Sequence, residues 1–203
     1  MTTATSTEYG ELDDGTAVAK VFLSTAELKV TLSSYGVQFL AVETKDRGGK
    51  FADLVMSYDS LGKAVKGKEN FSSVVGRYGN RVGMARFKLG DEEFKLAANN
   101  GENHLHGGPT GFCRRNWEVV EVASEEAVAR AVFRYTSADG EEGYPGKLTT
   151  TLTVSVSAPS TLRLSYRAET IDGKDTAVNL TNHAYWNLSG HGAGSVSSGV
   201  GAC

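Results

Sequence analysis

Lys147-Leu-Thr-Thr-Thr-Leu-Thr-Val-Ser-Val-Ser157 and, after Ala158-Pro-Ser160, Thr161-Leu-Arg-Leu-Ser-Tyr-Arg-Ala-Glu-Thr170 decide the fold class. In the first run Leu148, Leu152, Val154 and Val156 punctuate a Thr/Ser ladder; in the second Leu162, Leu164 and Tyr166 alternate with polar residues. A period of two places these apolar side chains on one face of an extended chain, which predicts two long antiparallel strands joined at the proline turn. Working outward, Trp117-Glu-Val-Val-Glu-Val122 and Ala127-Val-Ala-Arg-Ala-Val-Phe-Arg-Tyr135 read as another pair. Ala17-Val-Ala-Lys-Val-Phe-Leu23, Glu27-Leu-Lys-Val-Thr-Leu32 and Val37-Gln-Phe-Leu-Ala-Val42 read as a meander, with Ala52-Asp-Leu-Val-Met56 as a fourth strand. Arg86-Phe-Lys-Leu89 and Glu93-Phe-Lys-Leu96 flank Gly90-Asp91, residues suited to a two-residue hairpin turn.

Helical periodicity is nearly absent, and only residues 60–69 read as a short helix. The predicted architecture is all-β, two packed antiparallel sheets in a sandwich. Its 203 residues, 40% of them hydrophobic, suffice for one domain with a sizeable core, and 24 glycines against 3 prolines serve tight turns. A formal net charge of -3 leaves no basic excess for nucleic acid or an anionic membrane, so the expected partner is a small neutral molecule. The first ten residues lack the apolar middle of a secretory signal and are expected to be a flexible terminus ahead of a domain at 11–194. Two cysteines, Cys113 and Cys203, neither build a disulfide framework nor show a metal-ligand spacing, and the cytosol is the expected compartment. The sequons at Asn70, Asn179 and Asn187 then read as chance matches.

Three clusters carry chemistry: Gly76-Arg-Tyr-Gly-Asn-Arg81, Asn103-His-Leu-His-Gly-Gly108 and Asn179-Leu-Thr-Asn-His-Ala-Tyr-Trp-Asn-Leu188. Taken singly they are ordinary: Arg77 and Arg81 read as surface ion-pair partners, Asn80 and Asn103 as turn residues, Tyr185 and Trp186 as core. Together, Asn80, Arg81, His106, His183, Tyr185 and Trp186 offer the fixed donors, acceptors and aromatic faces that a sugar site needs.

These clusters resemble the aldose 1-epimerase family, also called galactose mutarotases. Gly76 to Arg81 is similar to its Gly-Arg-x-x-Asn-Arg signature, and Leu105-His-Gly-Gly108 with Gly111-Phe112 and Trp117 to its Leu-His-Gly-Gly segment. Residues 179–188 are similar to its Asn-Leu-Thr-Asn-His-x-Tyr-x-Asn-Leu segment, and Gly143-Tyr-Pro-Gly146 to a turn between its long strands. The resemblance implies a supersandwich fold, no cofactor or metal, and a hexose such as galactose or glucose as substrate. It makes His183 the general acid at the ring oxygen and Asn80, Arg81 and His106 the substrate-binding residues.

In the family the general base is a glutamate and the site includes a sugar-binding aspartate, both beyond the Asn-His-x-Tyr segment. No acidic residue before His183 stands in a matching motif, and none is assigned as base. With the irregular, Gly/Ser-rich stretch at 195–203, the expectation is a chain cut short, by truncation, frameshift, splicing or fragmentation, with a sheet edge and part of an apolar face exposed. Three alternatives stand beside this reading. One is a non-catalytic sugar-binding sandwich. Another is a hexose-6-phosphate epimerase using Arg77, Arg114 and Arg115 on the phosphate. A third is a double-stranded β-helix metal enzyme built on His104-Leu-His106 with His183 or His191.

Overall fold

A computed structural model describes residues 1–194 as two antiparallel sheets around one core. The first sheet is a meander, β1 (Thr3–Glu11), β2 (Ala17–Ser24), β3 (Leu28–Ser33), β4 (Gln38–Lys45) and β5 (Phe51–Asp53), in chain order. Helix α1 (Leu61–Lys66) follows, capped by the Ser60 side chain on the Lys63 N–H. Next come the short strands β6 (Val74–Val75) and β7 (Arg81–Val82), the hairpin β8 (Arg86–Leu89) and β9 (Glu92–Lys95), and β10 (His104–Leu105). The second sheet, β11 (Glu118–Ser124), β12 (Val128–Ser137), β13 (Leu148–Ser157) and β14 (Thr161–Thr170), is also in chain order, and β15 (Thr181–Asn182) comes last.

The alternation in the sequence is the alternation in space. On β13, Leu148, Leu152, Val154 and Val156 are fully buried, and they meet Val21, Leu23, Val30, Leu32 and Phe39 from the first sheet in one cluster with Phe133 and Trp117. β14 continues the ladder in register, Leu148 opposite Thr170 and Ser157 opposite Thr161. Its apolar row, Leu162, Leu164, Tyr166 and Ala168, is only partly covered, because β14 is an edge strand of its sheet among the described residues. Gly90-Asp91 forms the expected two-residue turn, with Leu89 paired to Glu92. No helix among the described residues is long and apolar enough to cross a membrane.

Two expectations change. Where a flexible terminus is expected, residues 3–11 pair with β2 from Thr3 opposite Ser24 to Glu11 opposite Ala17, with one bulge between Glu8 and Gly10. An edge strand needs no continuous apolar face, and the threonines supply β propensity without burial. The strand expected over residues 52–56 ends at Asp53, whose carboxylate accepts from the Val42 and Val55 N–H groups at 2.9 and 3.2 Å and so takes the place of the ladder. The tail expected at 195–203 lies outside the described residues.

Phe133 is wholly buried where the two sheets meet. Phe133→Ala is expected to cost about 3–5 kcal/mol by urea unfolding; a loss below about 1 kcal/mol would show that the cluster collapses around the gap.

Candidate functional site

Two short ladders assemble the site. β6 pairs with β15, Val75 opposite Thr181 and Val74 opposite Asn182; β7 pairs with β10, Arg81 opposite Leu105 and Val82 opposite His104. The Gly76–Arg81 cluster runs from one ladder to the other, so all three motif clusters converge. Backbone bonds lock the junction: Gly79 N–H donates to the Asn179 carbonyl at 2.7 Å, Asn179 N–H to Arg77 at 2.9 Å, and His183 N–H to Ser73 at 2.8 Å.

Asn80 and His106 bind each other reciprocally. His106 N–H donates to the Asn80 carbonyl at 3.0 Å, while Asn80 N–H donates to His106 Nδ1 at 3.0 Å. Both residues have left-handed backbones, φ 65° and 54°, a conformation asparagine and histidine adopt more readily than most residues. Beyond His106 the chain passes so close to the Gly76 carbonyl that a Cβ on Gly107 would sit 1.7 Å from its oxygen, so only glycine fits there. Because Nδ1 accepts a hydrogen bond, the ring is neutral and its proton is on Nε2. Burial, and then the neighbouring His183 and Arg81, push the His106 pKa below the ordinary histidine value, which favours the same neutral form.

His183 stands edge-on to His106, with ring centroids 5.0 Å apart, and lies flat on Tyr185 at 4.9 Å. Tyr185 is braced by the edge contact with Phe71 at 5.3 Å. Arg81 is exposed, and two of its nitrogens are anchored: Nε donates to Asn100 Oδ1 at 2.9 Å and a terminal nitrogen to Asn80 Oδ1 at 3.3 Å. Asn80, Arg81, His106, His183 and Tyr185 are therefore brought together. Trp186 is placed apart: its backbone bridges Val55, and among the described residues its ring forms no aromatic pair with either histidine. Asn100 and Phe71, which brace Arg81 and Tyr185, are not singled out by the sequence analysis, because each lies outside the three motif clusters.

Arg77 is 2% exposed and is no surface ion-pair partner. Its guanidinium donates to Ser137 Oγ and the carbonyls of Ser137, Ala138 and Pro145, and to Thr176 Oγ1. Arg114 donates to the Gly67 and Lys68 carbonyls, and Arg115 faces Glu141 and Thr110. The phosphate role thus loses the arginines proposed for it. The metal reading loses its pair for a different reason. His104 is fully buried, with Nδ1–H on the Ala97 carbonyl at 2.8 Å and its ring against Tyr144, whereas His106 leaves the strand conformation and faces His183. The same-face rule for residues two apart ends where the strand ends, and the two rings do not converge.

A family model described as aldose 1-epimerase matches residues 20–200. Galactose mutarotase from Sus scrofa is 37% identical over 194 residues, 95% of this chain and 54% of that protein. Aldose 1-epimerase from Escherichia coli (strain K12) is 32% identical over 165 residues, 81% of this chain and 46% of that protein. The crystal structure of galactose 1-epimerase from Lactobacillus acidophilus NCFM superposes with a TM-score of 0.82 at 25% identity, covering 93% of this chain and 54% of that one. The chain spans about half the length of the curated relatives it matches.

His104 and His106 both titrate below the ordinary value in the fold, burial being the larger cause for each. Below about pH 6.5 the unfolded chain therefore takes up protons that the folded chain refuses, so stability present above that pH is lost as the pH falls toward the folded values. The urea midpoint is expected to hold steady above about pH 6.5 and to drop below it, with a smaller drop in His106→Asn. A midpoint unchanged across that window in the parent chain would show that neither ring is held neutral.

Proposed function

Since the chain belongs to the aldose 1-epimerase family, we propose that it acts on the anomeric centre of an unphosphorylated hexose such as galactose or glucose, interconverting the α and β forms. The observation that carries this reading is the perpendicular His106–His183 pair beside Asn80 and Arg81. Ring opening needs a proton delivered to the ring oxygen as the C1–O5 bond breaks, and a base to take the anomeric hydroxyl proton. The resulting aldehyde turns about C1–C2 and closes on its other face with the proton transfers reversed.

His183 takes the acid role. Its imidazole is oriented by stacking on Tyr185, and histidine exchanges protons near neutrality. Neutral His106 presents Nε2–H to a sugar hydroxyl or the ring oxygen, and Asn80 and the anchored Arg81 guanidinium hold further hydroxyls. The chemistry is a pair of proton transfers and calls for no cofactor. Support for an unphosphorylated substrate comes from Arg77 and Arg114, whose guanidinium groups donate to backbone carbonyls and hydroxyls, and from Arg115, one of whose terminal nitrogens faces Glu141 and Thr110. The free thiol of buried Cys113 suits a reducing compartment, in keeping with a cytosolic enzyme of carbohydrate metabolism.

A second reading, sugar binding without turnover, is favoured by one feature: among the described residues no carboxylate hydrogen-bonds to His106 or His183. Polarimetry of freshly dissolved α-D-galactose and α-D-glucose separates the two, with buffer as the reference for spontaneous mutarotation. Acceleration by the parent chain is expected, with a loss of about 100-fold or more in His183→Ala. Unchanged turnover in that variant would refute the acid role; sugar binding without acceleration would establish the second reading.

A further inference from the structure

We propose that Glu142 is the positioning residue for His106, acting through the loop at residues 107–110. Glu142 lies in the tight turn between β12 and β13, remote in sequence from all three motif clusters. Backbone bonds make the turn rigid: Gly140 N–H donates to the Tyr144 carbonyl at 2.9 Å, Tyr144 N–H to Glu141 at 3.0 Å and Gly143 N–H to Gly140 at 3.0 Å. Glu142 itself has a left-handed backbone, φ 52°, an unfavourable state for a residue with a side chain unless its surroundings impose it. Gly143 is pressed on β9, since a Cβ there would lie 2.5 Å from the Lys95 carbonyl oxygen.

From this turn the carboxylate reaches the loop that follows His106. Oε1 accepts from the Thr110 N–H at 3.0 Å and also from the Thr110 hydroxyl. Oε2 fills the space beside Gly108, where an added Cβ would come within 2.1 Å of it. The loop also rests on the Gly76 carbonyl, which accepts the Phe112 N–H at 3.1 Å and leaves no room for a side chain on Gly107 or Gly111. The loop is thus held by two fixed groups, the Gly76 carbonyl oxygen and the Glu142 carboxylate. His106 immediately precedes the loop, and the clamp keeps its backbone in the φ 54° state that turns Nδ1 toward the Asn80 N–H. The neighbouring acid does other work: Glu141 accepts from the Tyr135 and Ser137 hydroxyls within the second sheet.

The catalytic consequence rests on the function proposed above, whereas the positioning does not, and the test separates them. Ring ¹⁵N spectra of the sugar-free chain above the titration of His106 are expected to show one tautomer, with Nδ1 unprotonated. In Glu142→Ala this signature should give way to a mixture of tautomers, Glu142→Gln should restore it by keeping the acceptor oxygen, and the Nδ1–H signature of His104 should stay unchanged in both as a check of the fold. Should Glu142→Ala fail to fold, Thr110→Val, which removes one of the two donors, is expected to broaden the His106 signals alone. A His106 signature that survives in the variants while the Thr110 amide resonance shifts overturns the inference.

With hexose, Glu142→Ala is expected to lower kcat/KM about 100-fold, chiefly through KM, and Glu142→Gln to recover most of it. Intact positioning with no turnover in the parent chain would count against the proposed activity and leave the positioning role standing.

Discussion

The site depends on one buried cation. Arg77 sits between the motif residues and the second sheet, and its guanidinium ties the end of β12 at Ser137–Ala138, the turn at Pro145 and the approach to β15 at Thr176. Those partners are 60 to 99 residues away in sequence. Burying a charge is costly unless its donors are satisfied, and here three carbonyl oxygens and two hydroxyls, at the end of β12 and in the segments around it, accept from the guanidinium. Desolvation by burial pulls its pKa below the usual arginine range, and Glu141 and Asp139 lie close enough to favour the charged form in part. Segments that would otherwise be independent loops therefore share a common anchor, and Asn80 and Arg81 follow it in the chain by only a few residues.

Neighbouring residues of one type then divide the labour. Arg77 is locked inside and Arg81 is held at the surface by Asn100 and Asn80. His104 donates from Nδ1 to a carbonyl and packs on Tyr144, while His106 accepts at Nδ1 and keeps its proton on Nε2 for a ligand. The two histidines thus hold opposite tautomers. The difference arises in the backbone, since His104 is within β10 and His106 has turned into the left-handed region.

This division explains what was legible in the sequence. The long strands were, because Leu148, Leu152, Val154 and Val156 alternate with threonine and serine and one face of the sheet must be buried. β1 was not, since an edge strand of threonines displays no apolar period. The early end of β5 escaped as well, because the acceptor that replaces its ladder is the side chain of Asp53. For the site, the three polar clusters and their resemblance to the family motifs brought out Asn80, Arg81, His106 and His183, which lie near one another in the fold. Asn100, Phe71 and Glu142 were hidden because each reaches the site from a separate segment, and nothing local marks which loop will meet which. The burial of Arg77 was hidden too, an arginine in a loop being exposed far more often than not.

The supports also account for how so small a set of regular elements holds a precise arrangement. Ladders of two residues, such as β6 with β15 and β7 with β10, contribute few backbone bonds, and taken alone would open easily. Precision comes instead from contact too close for side chains: Gly107 and Gly111 against the Gly76 carbonyl, and Gly108 against the Glu142 carboxylate. Backbone packed this tightly cannot slide without breaking the reciprocal Asn80–His106 bonds or the five bonds of Arg77. The groups that would meet a sugar are consequently ordered during folding, and a ligand need not bear that part of the entropy cost on binding. Rigidity at this site is thus a property of glycine and carbonyl geometry more than of strand length.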